Sequence, residues 1–129
     1  MSTLLLNILL IITNLGFPLE NSYRINFKKI DNRAKVYVAD SLVYDSETID
    51  GNPGLDIMVN LTPHLIEGKN QIKVELYNGS GEGFESFDEK WEIFYEILEN
   101  DFPIDFLTEK SSNGKEGLVL SMTHEIDAY

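Results

Sequence analysis

Residues 55–78, LDIMVNLTPHLIEGKNQIKVELYN, contain two stretches in which apolar and polar residues alternate. A period of two is typical of a β-strand that buries one face and exposes the other. The alternate apolar positions are Leu55, Ile57, Val59 and Leu61 in the first stretch, and Ile72, Val74 and Leu76 in the second. We therefore predict two strands joined by a short crossover.

The crossover carries the residues of a single helical turn. Thr62 is a good N-terminal cap, and Pro63 suits the first position of a helix because its missing N–H is not needed there. Gly68 can take the left-handed conformation that ends such a turn. This leaves Leu65 facing inward, as a plug at the end of the core.

The same alternation recurs along the rest of the chain, between groups of turn residues. We predict seven further strands, at residues 4–12, 22–30, 35–40, 41–45, 90–100, 102–109 and 117–126. The segment SETIDGNPG, residues 46–54, is the densest turn signal, and Asn113-Gly114 is the strongest hairpin signal. About nine short strands without a helical period predict an all-β fold, a jelly-roll β-sandwich that forms a single domain over residues 1–129.

Composition limits the function. The 129 residues suit one domain with one core, and the absence of cysteine excludes disulfides and thiolate metal sites. The net charge of -12, from 22 acidic and 10 basic residues, repels polyanions, so we expect no nucleic-acid partner.

The first twelve residues, MSTLLLNILLII, fit either a secretory signal or a strand. We favour a strand, because no Lys or Arg precedes Arg24 and no small-residue cleavage site follows. The apolar run is also too short to span a bilayer. The strand from Leu4 to Ile12 is apolar on both faces, so we expect a protein partner to cover whichever face the domain leaves bare. Without a signal, the expected location is a virion or a host cytoplasm, and secretion is the alternative.

Part of the chain resembles a known family. The region from Arg24 to Asn78 is similar to the N-terminal sugar-binding jelly roll of family-2 glycoside hydrolases, and to galactose-binding-like domains more broadly. The matching positions are Ile25 to Ile30, Ala34, Val36, Tyr37, Val38, Val59, Leu61, Thr62, Leu65, Gly68, Asn70, Ile72 and Val74. These positions determine architecture, so the resemblance implies a fold and does not by itself transfer a function.

The chain also departs from the family pattern. Ala39-Asp40 replaces the usual Asn-Gly, and SETIDGNPG replaces a loop rich in glycine and aromatic residues. In those enzymes the jelly roll is an accessory domain and the catalytic carboxylates belong to another domain, so the resemblance gives no catalytic residue here.

Residue types do not predict an enzyme either. Glycosidases need two carboxyl groups at a set separation, but spacing alone selects no pair among 22 carboxylates. We interpret Glu92, Glu96 and Asp105 as solvated strand residues. His64 and His124 accompany no nucleophile motif, so they predict no catalytic triad.

Two ligand sites are hypotheses at this level. Oxygen-rich side chains around the SETIDGNPG turn could hold a structural calcium ion, although their spacing is not that of an EF-hand. These are Asp45, Glu47, Asp50, Asn52 and Asp56. Exposed aromatic rings could stack on a sugar. The rings concerned are Tyr44, Tyr77, Phe84 and Phe87.

The function we predict first is that of a structural or interaction subunit without enzymatic activity. A free-standing sandwich with an apolar N-terminal strand suits assembly with other proteins, and jelly rolls recur in viral capsids. A virion component, such as a capsid-decorating or tail-associated phage protein, is the concrete version. The alternative is a stand-alone carbohydrate-binding module.

Overall fold

The computed structural model describes residues 18–79 and 90–129, which form eight strands and one short 3-10 turn. The turn, η1, spans Thr62–His64. The strands are β1 (Tyr23–Asp31), β2 (Arg33–Val38), β3 (Ser41–Asp45), β4 (Ile57–Asn60), β5 (Gly68–Asn78), β6 (Trp91–Glu99), β7 (Phe102–Ser111) and β8 (Gly117–Ala128).

The strands form two antiparallel sheets with a shared core. Their orders are β4-β1-β6-β7 in the first sheet and β3-β2-β5-β8 in the second. The predicted all-β sandwich is therefore confirmed. Eight of the nine predicted strands are found, and the remaining one, residues 4–12, lies outside the described residues.

The alternation that predicted the strands also selects the core. In β5, Ile72, Val74 and Leu76 are fully buried, and the residues between them are partly exposed. In β6, Ile93 and Tyr95 are likewise fully buried. These side chains come from different sheets and belong to one apolar cluster, so the core lies between the sheets.

The crossover differs from its prediction in two contacts. The Thr62 side chain does not cap the turn, because its hydroxyl accepts a hydrogen bond from the backbone N–H of Tyr23 at 2.8 Å and donates one to the Tyr23 carbonyl. The turn ends at His64, because the next residue, Leu65, has an extended backbone. Gly68 therefore does not end the turn, and it begins β5 with a φ of +96°. The prediction of Leu65 as an inward plug is confirmed.

The Asn113-Gly114 hairpin prediction is wrong. The two strands that this turn joins, β7 and β8, belong to different sheets, so the turn carries the chain across the sandwich. The Asn113 side-chain oxygen accepts hydrogen bonds from the Trp91 indole and the Lys115 backbone N–H. The two-residue hairpins of the described chain are Ala39-Asp40 and Asn100-Asp101, whose four residues all have positive φ, as tight hairpins require.

Candidate functional site

Two of the four aromatic residues predicted to bind sugar, Tyr44 and Tyr77, lie in the described part of the chain, and they do not share one surface. The Tyr44 ring stacks on Phe27 with centroids 6.0 Å apart and packs at the margin of the core. Tyr77 lies on the outer face of its sheet, where Lys35 Nζ sits 5.0 Å from the centre of its ring. The hydroxyl of Tyr77 donates to Glu75 at 2.9 Å, and burial together with that carboxylate raises the pKa of Tyr77 to about 12.

The structure therefore places Tyr44 and Tyr77 on opposite faces of one sheet, where they cannot form a single stacking platform. The other two predicted rings, Phe84 and Phe87, lie outside the described residues.

The five predicted calcium ligands are not brought together. Asp45 is bound by Arg33, whose Nε donates to its carboxylate at 2.9 Å, and by the backbone N–H of Glu47. The hydrogen bond from Arg33 keeps the pKa of Asp45 below its ordinary value. Within residues 18–79 and 90–129, no group of three or more His, Cys, Asp or Glu side chains could hold a metal ion. The calcium site predicted from Asp45, Glu47, Asp50, Asn52 and Asp56 stays a prediction, and Asp45, the residue among them with a described ion pair, binds Arg33.

An apolar surface lies along one margin of the first sheet. We call it the β7 edge, and it consists of Phe102, Ile104 and Phe106, whose exposed fractions are 74%, 44% and 61%. Among the strands described, β7 is the last of its sheet and pairs only with β6. Its outer side has no partner strand within residues 18–79 and 90–129 and lies beside exposed aromatic rings, the features that allow another strand to pair there.

The strand itself carries little charge along this surface. Between Phe102 and Thr108 the one charged residue is Asp105, and its carboxylate binds His124. On the neighbouring strand, Glu96 lies opposite Phe106 and Glu99 lies opposite Phe102. The β7 edge is therefore an apolar strand bordered by carboxylates.

A hydrogen-bonded network of Tyr95, His124 and Asp105 lies next to the β7 edge. His124, on β8, is 5% exposed, and its Nε2 lies 2.6 Å from the Tyr95 hydroxyl while its Nδ1 lies 2.7 Å from the Asp105 carboxylate. A carboxylate accepts only, so Nδ1 carries a proton, and in the tautomer with its single proton there Nε2 accepts from the Tyr95 hydroxyl. Both ring nitrogens of His124 are thus hydrogen-bonded.

The network shifts the titration of both partners of the histidine. Burial, aided by the charge of Asp105, raises the pKa of Tyr95 well above its ordinary value. Burial also raises the pKa of Asp105, but the hydrogen bonds from His124 and the Phe106 N–H outweigh that effect and leave the pKa below its ordinary value. The network ties β8 to β6 and β7, and so links the margins of the two sheets.

The interpretation of Asp105 as a solvated strand residue was incomplete, because its side chain is 45% exposed but its carboxylate also binds a buried histidine. Glu92 is engaged as well, since it accepts a hydrogen bond from the Asn52 side chain at 2.9 Å. The signal for His124 was present in the sequence, because it lies in phase with the buried Ile126 and Ala128 on β8.

A polar cleft of about 410 Å³ lies at the end of the sandwich where β1 finishes and β6 begins. Its wall includes two carboxylates, two lysines, two serines, an amide and an indole. The carboxylates are Asp31 and Glu92, the lysines are Lys90 and Lys110, and the amide and the indole belong to Asn52 and Trp91. Asn52 donates to Glu92, while its own buried side-chain oxygen has no hydrogen-bond partner among the described residues. The cleft balances two positive against two negative groups and thus suits an uncharged polar ligand better than an ion.

Comparison with known proteins adds no further constraint: no family model, no curated protein and no solved structure matches this chain. None of the helical structure within residues 18–79 and 90–129 is long and apolar enough to cross a membrane.

Proposed function

We propose that this protein is a non-enzymatic structural or interaction subunit that assembles with protein partners through the β7 edge. The observation that supports this most directly is the exposure of Phe102, Ile104 and Phe106 on an unpaired strand margin. Soluble proteins rarely leave contiguous apolar surface uncovered, and a bare sheet margin binds a further strand through main-chain hydrogen bonds. A virion component, decorating a capsid or associated with a tail, remains the concrete form of this proposal.

The β7 edge differs from the other exposed apolar residues of the described chain. Leu42, Met58 and Leu118 are also exposed, but they lie one each on β3, β4 and β8, while Ile66 lies in the crossover and Tyr129 follows β8. Isolated apolar residues are normal on protein surfaces, whereas three exposed apolar side chains within five residues of one strand form a cluster. Because the register with β6 shifts between Ile97 and Leu98, Phe102 and Phe106 lie on opposite faces of the sheet margin, so the cluster would contact both faces of an added partner strand.

The chain is expected to self-associate with rising concentration, and replacing Phe102 and Phe106 with lysine should abolish this. Burial of exposed aromatic rings drives such association, and a lysine on a strand margin opposes pairing. Because both rings are exposed, the free energy of unfolding of the single copy should change by less than about 0.5 kcal/mol. Light scattering coupled to size-exclusion chromatography measures the mass, and denaturant unfolding measures the stability.

Leu42→Lys is the matched control, since Leu42 is 51% exposed on β3, at a margin of the other sheet. It should leave association unchanged. A chain that stays monomeric at every concentration, or that associates equally well with both lysines in place, would show that the β7 edge does not carry assembly.

A second candidate function, carbohydrate binding, is supported by the polar cleft. Sugar hydroxyls both donate and accept hydrogen bonds, and the cleft offers the carboxylate of Glu92 as an acceptor and the ammonium group of Lys110 as a donor. The Asn52 side-chain oxygen, which has no hydrogen-bond partner among the described residues, is a further acceptor. Its volume lies within the usual range for small-molecule sites.

If the cleft binds a neutral sugar, Lys110→Met should weaken that binding roughly tenfold, the loss expected when one charged hydrogen bond is removed. Calorimetric titration against a panel of neutral oligosaccharides, chosen from a glycan array, provides the measurement. Lys69→Met is the control, because Lys69 is highly exposed at the opposite end of the sandwich. A blank array and blank titrations would remove this candidate.

A further inference from the structure

We infer that Asn113 is a site of spontaneous chemical modification, at which its side chain closes onto the backbone nitrogen of Gly114, releases ammonia and is converted to aspartate and isoaspartate. The inference goes beyond the proposed function, because it concerns the link between β7 and β8 and no binding surface. Its basis is the contrast between the two Asn-Gly sequences of the chain, which the fold places in opposite environments.

An asparagine followed by glycine offers the least steric resistance to this ring closure. The backbone nitrogen of the glycine attacks the side-chain carbonyl carbon, and the bond from that carbon to the amide nitrogen breaks. The amide group takes the proton of the attacking nitrogen and leaves as ammonia, so the product is a five-membered cyclic imide. Glycine has no Cβ to hinder the attack and adopts the widest range of backbone conformations. The two candidates are Asn78-Gly79 and Asn113-Gly114.

Asn113 is open to this reaction. It is exposed in the link between β7 and β8, and among the described residues the Gly114 N–H donates no hydrogen bond. The Asn113 side-chain oxygen accepts from the Lys115 backbone N–H at 3.0 Å, which folds the side chain back over the intervening peptide group. It also accepts from the Trp91 indole at 3.2 Å. Both donors polarise the carbonyl and stabilise the negative charge that develops on its oxygen during the attack.

Asn78 is protected against the same reaction, because it is 1% exposed and both reacting groups are held. Its amide nitrogen, the group that would leave, donates to the Lys115 carbonyl at 2.9 Å. The nitrogen that would attack, that of Gly79, donates to the Asn32 side-chain oxygen at 2.9 Å. A buried group held in this way reacts only after the structure opens locally. The fold therefore selects one of the two Asn-Gly sequences for modification.

The products change the charge and the length of the link between β7 and β8. Water opens the imide at either of its two carbonyls, and each product adds a negative charge to a chain that already carries -12. Aspartate keeps an acceptor for Trp91 and Lys115. Isoaspartate instead routes the backbone through the side-chain carbon, which lengthens the link by a methylene group and disturbs the bond between Asn78 and the Lys115 carbonyl.

Peptide mapping by mass spectrometry tests this inference on the full chain, kept folded at mildly alkaline pH and physiological temperature. Alkaline conditions speed the closure, because base removes the proton of the attacking nitrogen. We expect Asn113 to convert more than about tenfold faster than Asn78, since Asn78 reacts only from an opened state. The internal control is the same chain unfolded in urea, where the two sites should convert at similar rates.

Asn113→Gln is the matched variant, because its longer side chain must close a six-membered ring and does so far more slowly. It should lack the acidic species that ion-exchange chromatography separates from the original chain. Equal conversion of Asn113 and Asn78 in the folded chain would overturn the inference, and so would an Asn113 that converts in urea but not when folded. Aspartate without isoaspartate would indicate direct hydrolysis and overturn the ring closure. None of these outcomes involves the β7 edge, so the association measurements decide the proposed function separately.

Discussion

Replacing His124 with alanine is expected to lower the free energy of unfolding by about 3 kcal/mol. His124 is 5% exposed, so the substitution opens a cavity between the sheets. It also leaves the buried Tyr95 hydroxyl without the acceptor that now lies 2.6 Å away. The two effects add, because loss of packing and an unsatisfied buried donor are separate costs. Urea unfolding monitored by the fluorescence of Trp91 measures the change.

Tyr95→Phe separates the two contributions. It removes the hydroxyl but keeps the ring, so we expect a loss of about 1 kcal/mol, and little further loss from Tyr95→Phe once His124 is already alanine. His64→Ala, in the 3-10 turn where the side chain is exposed, is the matched control and should change stability by less than about 0.5 kcal/mol. If His124→Ala and His64→Ala had equal effects, the network would not stabilise the sandwich.

The same network predicts a dependence on acid. The pKa of Asp105 is lowered in the folded chain, so its contribution to stability is complete above the unfolded value of about 3.9. It disappears as the pH falls through the lowered folded pKa. Asp105→Asn should therefore reduce stability at neutral pH and make the loss of stability in acid shallower than in the original chain. If the free energy of unfolding fell with pH equally steeply in the two chains, the role of Asp105 in acid stability would be contradicted.

The sequence predicted strands well and side-chain partners poorly, for a physical reason. Alternation in β5 and β6 records which side of a strand is buried, and burial is a property of each strand alone. The partners of Asp105 and Thr62 are side chains and backbone groups far away in sequence, so local pattern carries no information about them. The sequence analysis consequently assigned Asp105 to solvent and Thr62 to a local helix cap.

Turn chemistry misled the interpretation in a similar way. Asn113-Gly114 satisfies the local requirements of a tight hairpin, yet the chain uses this turn to change sheets. The true hairpins, Ala39-Asp40 and Asn100-Asp101, contain no glycine and still adopt positive φ. Asn and Asp tolerate that conformation, so pairing between the flanking strands decides which turn becomes a hairpin.

Asn70→Ala is expected to lower the free energy of unfolding by about 3 kcal/mol, the second of the two largest effects. Asn70 is 6% exposed, and its amide group closes the crossover between the sheets. The Asn70 side-chain nitrogen donates to the carbonyls of Ile66 and Gly68 at 2.8 and 2.9 Å, and its oxygen accepts from the Ile66 N–H at 3.0 Å. Alanine would leave all three backbone groups without this partner.

Asn70→Asp tests whether the hydrogen bonds, and not the volume of the side chain, are responsible. Aspartate keeps the acceptor for Ile66 N–H but turns a carboxylate oxygen toward the carbonyls of Ile66 and Gly68, so at neutral pH it should destabilise at least as much as alanine. Gln71→Ala, one residue along on the exposed face of β5, should change stability by less than about 0.5 kcal/mol. Asn70 would then be a structural residue of the crossover. A neutral Asn70→Asp substitution would instead show that the amide donors contribute nothing.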